Sequence, residues 1–482
     1  MSFSEIFRLH ARLRAEKLAL VGHGFSYTYA TLDRTIDGCC NWLASRGVGF
    51  GDVVGIALGD HAEHVIALIA LSRMGAVTLP MDCRWSETEK QGVAGHFGAV
   101  HVLVESADTA AVTGRIVLDA DAWAGGPWHE PRVNEATPMI LSLSSGTTGL
   151  PKGPRLGQKQ FENRFMAYWL NLGLNAHDTF VSATPLYFGG GRGFTLAMLF
   201  AGATVHMYPP PYGPQALVDY VNAVGCTAIF LVPTLLRRLL SLDGEGILLP
   251  KVRCLISSGS ALHMEERRAI HDRLTPNLYE LYSSTEGGSV SVTGPQEFLE
   301  CPDSVGRPAF RVDVQVVDAQ DQSLSAGETG RLRYRSPASP EGYFMGDSDG
   351  AFRDGWFYPG DLACLDARGF LHLRGRSKDI IIRGGVNIYP GDVERVLLTD
   401  PRIADCAVVG VSSAELGEEV VAYYTASAPI EAAALRDLCR AALAPYKVPH
   451  AFIHIDDMPR NSLGKIIKVR LQQLYTETGA RT

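Results

Sequence analysis

At 482 residues the chain is too long for a single compact core, and its length points to roughly two to four domains. Apolar residues make up 46% and charged residues 20%, an ordinary globular composition, and a net charge of −8 without a Lys/Arg tract argues against nucleic acid as the main partner. The apolar runs, such as residues 65–71, fall far short of the roughly 20 residues a membrane span needs.

Taken in chain order, the first stretch carries Glu5, Arg8, Arg12, Arg14, Glu16 and Lys17, so it has no signal-peptide core and a cytoplasmic protein is expected. Residues 53–58 are an apolar run of strand length. Asp60 then stands where it can cap a helix whose apolar positions include Val65, Leu68, Ile69 and Leu71, with Gly75 at its end and a further strand at 77–80. The same grammar recurs at 227–232, followed by Pro233 and a helix, and at 254–256, followed by a polar helix around 265–271. Strand–helix–strand repetition predicts an α/β fold, with doubly wound parallel sheets covered on both faces. From about Val305 the pattern changes to short strands separated by Asp354-Gly355 and Arg368-Gly369 turns, a β-rich subdomain. Past Arg376 there is length for a small α+β domain with strands at 407–411 and 420–424 and a helix near 431–443. The expected domains are therefore 1–376 and 377–482. Nine cysteines are scattered without a CxxC pair, which predicts reduced, mostly buried thiols and neither zinc nor a disulfide framework.

Five short motifs carry chemistry. Ser144-Ser145-Gly146-Thr147-Thr148-Gly149-Leu150-Pro151-Lys152-Gly153 packs small residues, hydroxyls and amides beside a lysine, a composition that suits phosphates. It is not a Walker A loop, because Gly153 follows the lysine where a Ser/Thr should ligate Mg²⁺. A generic loop of this kind is an ordinary surface turn; Pro151-Lys152-Gly153 directly after it makes it distinctive. Ser257-Ser258-Gly259-Ser260-Ala261-Leu262 follows a strand, and by itself is equally a turn without a role. Tyr282-Ser283-Ser284-Thr285-Glu286 contains a carboxylate of the hard-oxygen type that Mg²⁺ prefers, although Thr-Glu alone reads more often as a helix start. Gly360-Asp361 offers a carboxylate able to accept hydrogen bonds from a ribose. Arg460-Asn461-Ser462-Leu463-Gly464-Lys465 ends in a lysine that, out of context, would be solvated and idle.

These motifs, in this order, resemble the adenylate-forming superfamily: acyl- and aryl-CoA synthetases, adenylation domains of peptide synthetases, and beetle luciferases. The likeness runs from Thr28-Tyr29 and Gly51-Asp52 to Lys465. It implies that Ser144, Ser145, Gly146, Thr147, Thr148, Gly149 and Lys152 hold the β- and γ-phosphates of ATP. Ser258, Gly259 and Ser260 would frame the adenine, against which Tyr282 packs. It further implies Glu286 as the Mg²⁺ ligand, with Ser144 a second metal-side candidate, and Thr285 near the α-phosphate. Asp361 and Arg376 would grip the ribose, with Pro359 standing where the family has a hydroxyl residue. Lys465 would bridge carboxylate and α-phosphate, Lys378 falls at the family's hinge, and Gly385 of Arg383-Gly384-Gly385-Val386-Asn387 would line a pantetheine tunnel. The C-terminal domain is implied to be mobile.

The acid itself is read from Pro185-Leu186-Tyr187-Phe188-Gly189, where Phe188 replaces the family's polar ring. Tyr187, Phe188, Gly189 and Ser283 form the expected acid pocket, with Ser283 in place of a family glycine shortening it toward compact aromatic or short-to-medium acyl acids. No aspartate is present to hold an α-amino group, which argues against free amino acids. Arg192 is read as a solvated arginine, the alternative being a contact to a second carboxylate of the acid. The expected activity is an acyl-CoA synthetase using ATP, Mg²⁺ and coenzyme A. An adenylating enzyme that loads an acyl carrier protein is the alternative, and a nucleotide-binding protein without activity is disfavoured by Lys465, Glu286 and Asp361 together.

Overall fold

A computed structural model describes residues 3–105, 114–130, 132–143, 152–244, 246–344, 350–384, 386–413, 416–460 and 465–477. The chain divides into two compact units that interleave in sequence. The first comprises Met1–Pro302, Gly306–Asp313 and Tyr334–Phe357; the second comprises Asp303–Val305, Val314–Arg333 and Tyr358–Thr482. Tyr358–Arg376 thus groups with the C-terminal segment, although the sequence motifs suggested a boundary after Arg376.

The first unit contains two largely parallel sheets. One joins His101–Val104, Val53–Ala57, Val77–Pro80 and Pro138–Leu141 in parallel, with Arg155–Gly157 antiparallel at its edge. The other runs in parallel through Leu278–Ser284, Cys254–Ser258, Ala228–Phe230, Thr179–Ser182 and Thr204–Met207. The middle positions of its central strands are apolar on both sides because both faces are covered. Phe180, Phe230, Cys254 and Ile256 point into one core, while the alternating Val181, Ile229, Leu231 and Leu255 point into another. The period-two geometry of a strand sends neighbours to opposite faces, so continuous hydrophobicity is the signature of burial on both.

The helix Ala62–Met74 shows how closely the elements follow local chemistry. It is buried almost throughout, lacks an amphipathic stripe accordingly, and ends at Gly75 with φ 73°. Its start differs from the expected cap. His61 takes the N-cap position in extended conformation, and the Asp60 carboxylate instead accepts the Leu186 N–H at 2.6 Å. Asp60 thereby anchors the loop that leads to Tyr187 and Phe188.

In the second unit, Asp361–Leu365 pairs antiparallel with Leu371–Arg376. The long strands Ile403–Ser413 and Gly417–Ala426 pair antiparallel, with Ala451–His454 added in parallel. Cys406, Val408, Val420 and Ala422 pack with Val393, Leu397, Leu435 and Cys439 of two helices; Ala407, Val409, Val421 and Tyr423 pack on the opposite face with Leu471 of a third. Among the described residues no helix is long and apolar enough to cross a membrane. The nine cysteines carry free thiols, eight of them buried and Cys83 half-buried.

Candidate active site

The large parallel sheet brings Ser258, Ser283, Thr285 and Glu286 to the carboxyl ends of its strands, the usual location of ligands in open α/β sheets, while Lys152 follows Pro138–Leu141 of the other sheet. Ser258 closes Cys254–Ser258, and Ser283 lies near the end of the adjacent strand Leu278–Ser284. Their hydroxyls are 2.7 Å apart, and the Ser258 hydroxyl also donates to the Leu281 carbonyl at 2.8 Å. The expected adenine turn and the expected wall of the acid pocket are therefore tied by one hydrogen bond. Gly259 follows with φ 105°, a conformation that favours glycine, and Ser260 is half-buried.

Thr285 and Glu286 occupy the tight turn between Leu278–Ser284 and Gly288–Thr293, rather than the start of a helix. Four contacts fix that turn. The Ser284 hydroxyl accepts the Gly287 N–H at 2.7 Å and pairs with the Tyr334 hydroxyl at 2.6 Å. Arg164 donates to the carbonyls of Thr285 (3.0 Å) and Glu286 (2.7 Å). Gly287 packs so closely on the Tyr334 ring that a methyl group there would overlap it. Glu286 is buried, and Tyr343 donates its hydroxyl to Glu286 Oε1 at 3.0 Å. The same Tyr343 ring lies 5.2 Å from the Lys152 ammonium, and Phe344 N–H bonds the Gly153 carbonyl at 2.8 Å. Tyr343 thus links the lysine of the candidate phosphate loop to the candidate metal carboxylate. Ser144, Ser145, Gly146, Thr147, Thr148 and Gly149 lie outside the described residues, as does Gly385.

Neither Arg164 nor Tyr343 is visible as a site residue from motif reading. Arg164 did leave a trace: with Phe161, Phe165 and Tyr168 it falls at i, i+3, i+4 and i+7 spacing on the buried face of the helix Gln158–Leu172. A charged residue on an apolar face needs a reason. Tyr343, between Gly342 and Phe344, carries no comparable signal.

Tyr187 and Phe188 stand side by side with ring centroids 4.4 Å apart. Arg84, held by two hydrogen bonds to Asp82 (2.9 and 2.7 Å), lies 5.1 Å above the Tyr187 ring and donates to its hydroxyl. Burial pushes the Tyr187 phenol up to about 12, so it stays neutral at physiological pH. Helix Gly189–Ala201 begins directly afterwards. A methyl group on Gly191 would overlap the carbonyls of Thr184 and Pro185, and one on Gly190 would press to 2.6 Å on Phe230, whereas Gly189 faces open space. The expectation of a solvated Arg192 is overturned: the residue is 3% exposed. Its position in the first turn folds the guanidinium back under the loop, where Nη1 donates to the carbonyls of Leu186 (2.9 Å) and Tyr187 (3.1 Å).

In the second unit the strand register sets Asp361 opposite Arg376, and their side chains form an ion pair at 3.2 Å. Ser377 closes the corner through its N–H on the Gly360 carbonyl at 2.8 Å. Lys378 is exposed in the short 3₁₀ turn Ser377–Asp379. Arg460 and Ile466 bridge as antiparallel partners, Ile467 N–H bonds the Pro459 carbonyl at 2.8 Å, and Arg460 pairs with Asp405. That clamp holds Lys465 among Asp361, Arg376, Lys378 and Asp379. The ammonium is held below the ordinary lysine pKa, first by desolvation and then by Arg376, with Asp361 opposing.

One carboxylate with one oxygen oriented by Tyr343, next to the lysine of the candidate phosphate loop, fits Mg²⁺, which takes one or two protein carboxylates and leaves its other positions to phosphates and water.

Comparison with known proteins matches residues 7–344 to the family of AMP-binding enzymes and residues 392–465 to the AMP-binding enzyme C-terminal domain. The 2-succinylbenzoate–CoA ligase of Bacillus subtilis is 30% identical over 96% of this chain and 96% of its own length. Naringenin synthase of Pestalotiopsis fici is also 30% identical over 95% of this chain, which spans only 18% of that longer protein. Among solved structures, the o-succinylbenzoate CoA synthetase of Bacillus subtilis is 27% identical with ATP and magnesium bound (TM-score 0.86, covering 97% of this chain and 99% of that one). In complex with its acyl-adenylate intermediate it gives a TM-score of 0.85 at 26% identity, covering 97% of both chains.

Proposed function

The chain belongs to the AMP-binding enzyme family, and from that premise we infer that it is an AMP-forming acid–thiol ligase of the acyl-CoA synthetase type. It activates a carboxylic acid with ATP to an acyl-adenylate and transfers the acyl group to coenzyme A, releasing pyrophosphate and AMP. The observation that carries this reading is Tyr343, whose hydroxyl and ring join Glu286 to Lys152. Bound Mg²⁺ neutralises charge on the triphosphate, and Glu286 would hold it. Thr285, in the turn fixed by Arg164, is assigned to the α-phosphate. Asp361 accepts the ribose hydroxyls, with Arg376 keeping its carboxylate in position. The Lys465 ammonium offsets the repulsion between the attacking carboxylate oxygen and the α-phosphate, a preorganised charge placed where two anions must meet. Lys378 is proposed as the hinge that lets residues 377–482 change pose between the half-reactions, and Gly385 as the position past which the pantetheine arm runs. Ser144 to Gly149 and Lys152 complete the proposed phosphate site. Ser258, Gly259, Ser260 and Tyr282 complete the adenine site.

The acid is a compact aromatic or short-to-medium acyl acid. The paired rings of Tyr187 and Phe188 and the fixed Ser283 hydroxyl support this class. Coenzyme A is favoured over a carrier protein because the full-length relative is named for CoA ligation. Nine free thiols fit a reducing compartment and a cytoplasmic location.

The test is acid-dependent pyrophosphate release over a panel of acids, followed with coenzyme A and with carrier proteins bearing a free phosphopantetheine thiol as acceptors. AMP and pyrophosphate should form in equal amounts, and thioester only when coenzyme A is present. Formation of ADP and phosphate, or thioester on the carrier arm alone, would reject the assignment.

A further inference from the structure

Among the described residues, buried arginines meet a negative partner, with one exception. Arg73 pairs with Asp33 and Asp37, Arg267 pairs with Glu280, and Arg164 faces the charge of Glu286 while donating to its carbonyl. Arg192 is more deeply buried than Arg164 or Arg267, yet among the described residues no carboxylate forms an ion pair with it. Its Nη1 is satisfied by the carbonyls of Leu186 and Tyr187, while Nη2 and Nε have no described partner.

The surroundings make this more unfavourable. Arg192 sits in the first turn of a helix, where the backbone dipole already contributes positive charge. Arg164 is close enough to repel it, and burial together with that repulsion lowers its pKa only to about 10, so it remains a cation at neutral pH. The third basic side chain here, His64, is fully buried with Nε2 unpartnered. It is held neutral by burial, and Arg192 adds to the shift. A buried, unpaired charge is strongly disfavoured in a folded chain and calls for a compensating anion.

We propose that the acid activated by this enzyme carries a second carboxylate, remote from the one that is adenylated, and that Arg192 receives it. The inference rests on the acid-ligase reading above and specifies the substrate class of that same site. Arg192 hangs from the loop whose Tyr187 and Phe188 rings wall the proposed acid pocket, and Gly189 beside it faces open space. An anion at this point therefore belongs to the acid rather than to the nucleotide. The free Nη2 and Nε edge of a guanidinium matches the two oxygens of a carboxylate. The same charges repel an amine at this end of the pocket, consistent with the lack of an aspartate for amino acids.

The experiment compares straight-chain and aromatic dicarboxylic acids, glutarate and phthalate among them, each with its monomethyl ester. The ester keeps one activatable carboxylate and nearly the same size but loses the second charge. Pyrophosphate release should favour at least one diacid over its ester by about 10- to 100-fold in kcat/KM, the range expected when a hydrogen-bonded charge loses its partner. Arg192→Leu should bring that ratio close to parity, and Arg192→Lys should retain part of it. Because the ratio is taken within one variant, a general loss of activity cancels. Parity in the parent enzyme would overturn the proposal, as would an undiminished ratio in Arg192→Leu. Failure of both variants to fold would assign the arginine to the fold alone and equally reject it. Monocarboxylic acids activated without any diacid preference would reject only this proposal, whereas no acid supporting pyrophosphate release would reject the ligase reading with it.

Discussion

Lys465 sits among Arg376, Lys378, Asp361 and Asp379, and desolvation, reinforced by Arg376, lowers its pKa against the opposing pull of Asp361. The protonated form is the one that can bridge two anions, so adenylation should decline as pH rises through a value below the ordinary 10.5 of lysine. Lys465→Ala should reduce acyl-AMP formation by about 10²- to 10³-fold, the usual effect of removing a preorganised charge, while thioester formation from supplied acyl-AMP changes far less. Measuring both half-reactions checks this; an equal fall in both would detach the lysine from the first step. Gly189 offers a second residue-level test. It occupies the first turn of a helix and faces open space, so Gly189→Ala should stabilise the fold by up to about 1 kcal/mol. The same methyl group enters the proposed acid pocket and should lower kcat/KM for bulky acids relative to small ones. A higher melting temperature with an unchanged acid profile would place the pocket elsewhere. Motif order singled out Lys465 and Glu286 as candidates in the sequence, and the structure brings Glu286 beside Tyr343 and Lys465 beside Asp361 and Arg376. The burial of Arg192 was not, since nothing local distinguishes an arginine folded under its own loop from one in solvent.

At the scale of the element, the turn Ser284–Gly288 is held by groups distant in sequence: Arg164, Tyr334 and Tyr343. Tyr343→Phe keeps the ring beside Lys152 but removes the hydrogen bond to Glu286. We expect the ATP or Mg²⁺ requirement to rise by about 10-fold, the order of one hydrogen bond to a charged group, with little change in stability. Titrating Mg²⁺ at fixed ATP reads this directly, and an unaltered requirement would separate Tyr343 from the metal carboxylate. The helix Ala62–Met74 supplies a pH test. His64 has a folded pKa of about 3 against the ordinary 6.5 of histidine, and its Nδ1 bonds the Gly59 carbonyl at 3.0 Å. The unfolded chain therefore takes up a proton below pH 6.5 that the folded one refuses. Stability is full above that value and falls as pH drops toward 3, by up to about 1.4 kcal/mol per pH unit from this residue. His64→Asn keeps a donor for Gly59 and should flatten the pH dependence of urea unfolding over that window; an unchanged slope would mean the imidazole is already protonated in the fold. Such strands and helices could be read from apolar runs, because burial on both faces leaves a continuous pattern. The capping role expected of Asp60 went instead to a loop over a hundred residues away, a choice made by tertiary contact and invisible to local spacing.

For the whole molecule, Lys378 provides the sharpest prediction. Proline there fixes φ and removes an N–H within the turn Ser377–Asp379. Lys378→Pro should leave acyl-AMP formation within a few-fold of the parent but slow thioester formation by about 10²-fold or more if the proposed hinge must turn between steps. Single-turnover measurement of each half-reaction distinguishes this from full activity, which would move the hinge elsewhere. The change of strand pattern near Val305 reads in the sequence as a β-rich subdomain, with the domain boundary expected after Arg376; the interleaved course of the chain between residues 302 and 358 was not legible, because no Pro- or Ser-rich linker marks it. That course matters for inheritance. The backbone passes from one unit to the other five times, after Pro302, Val305, Asp313, Arg333 and Phe357. A genetic exchange at residue 377 would therefore transplant Lys465 but leave Asp361 and Arg376, its neighbours within the same unit, with the recipient. Recombination between relatives at that point mixes the lysine of one parent with the Asp361–Arg376 ion pair of the other, and only parents that agree on this cluster of charges should yield an active hybrid.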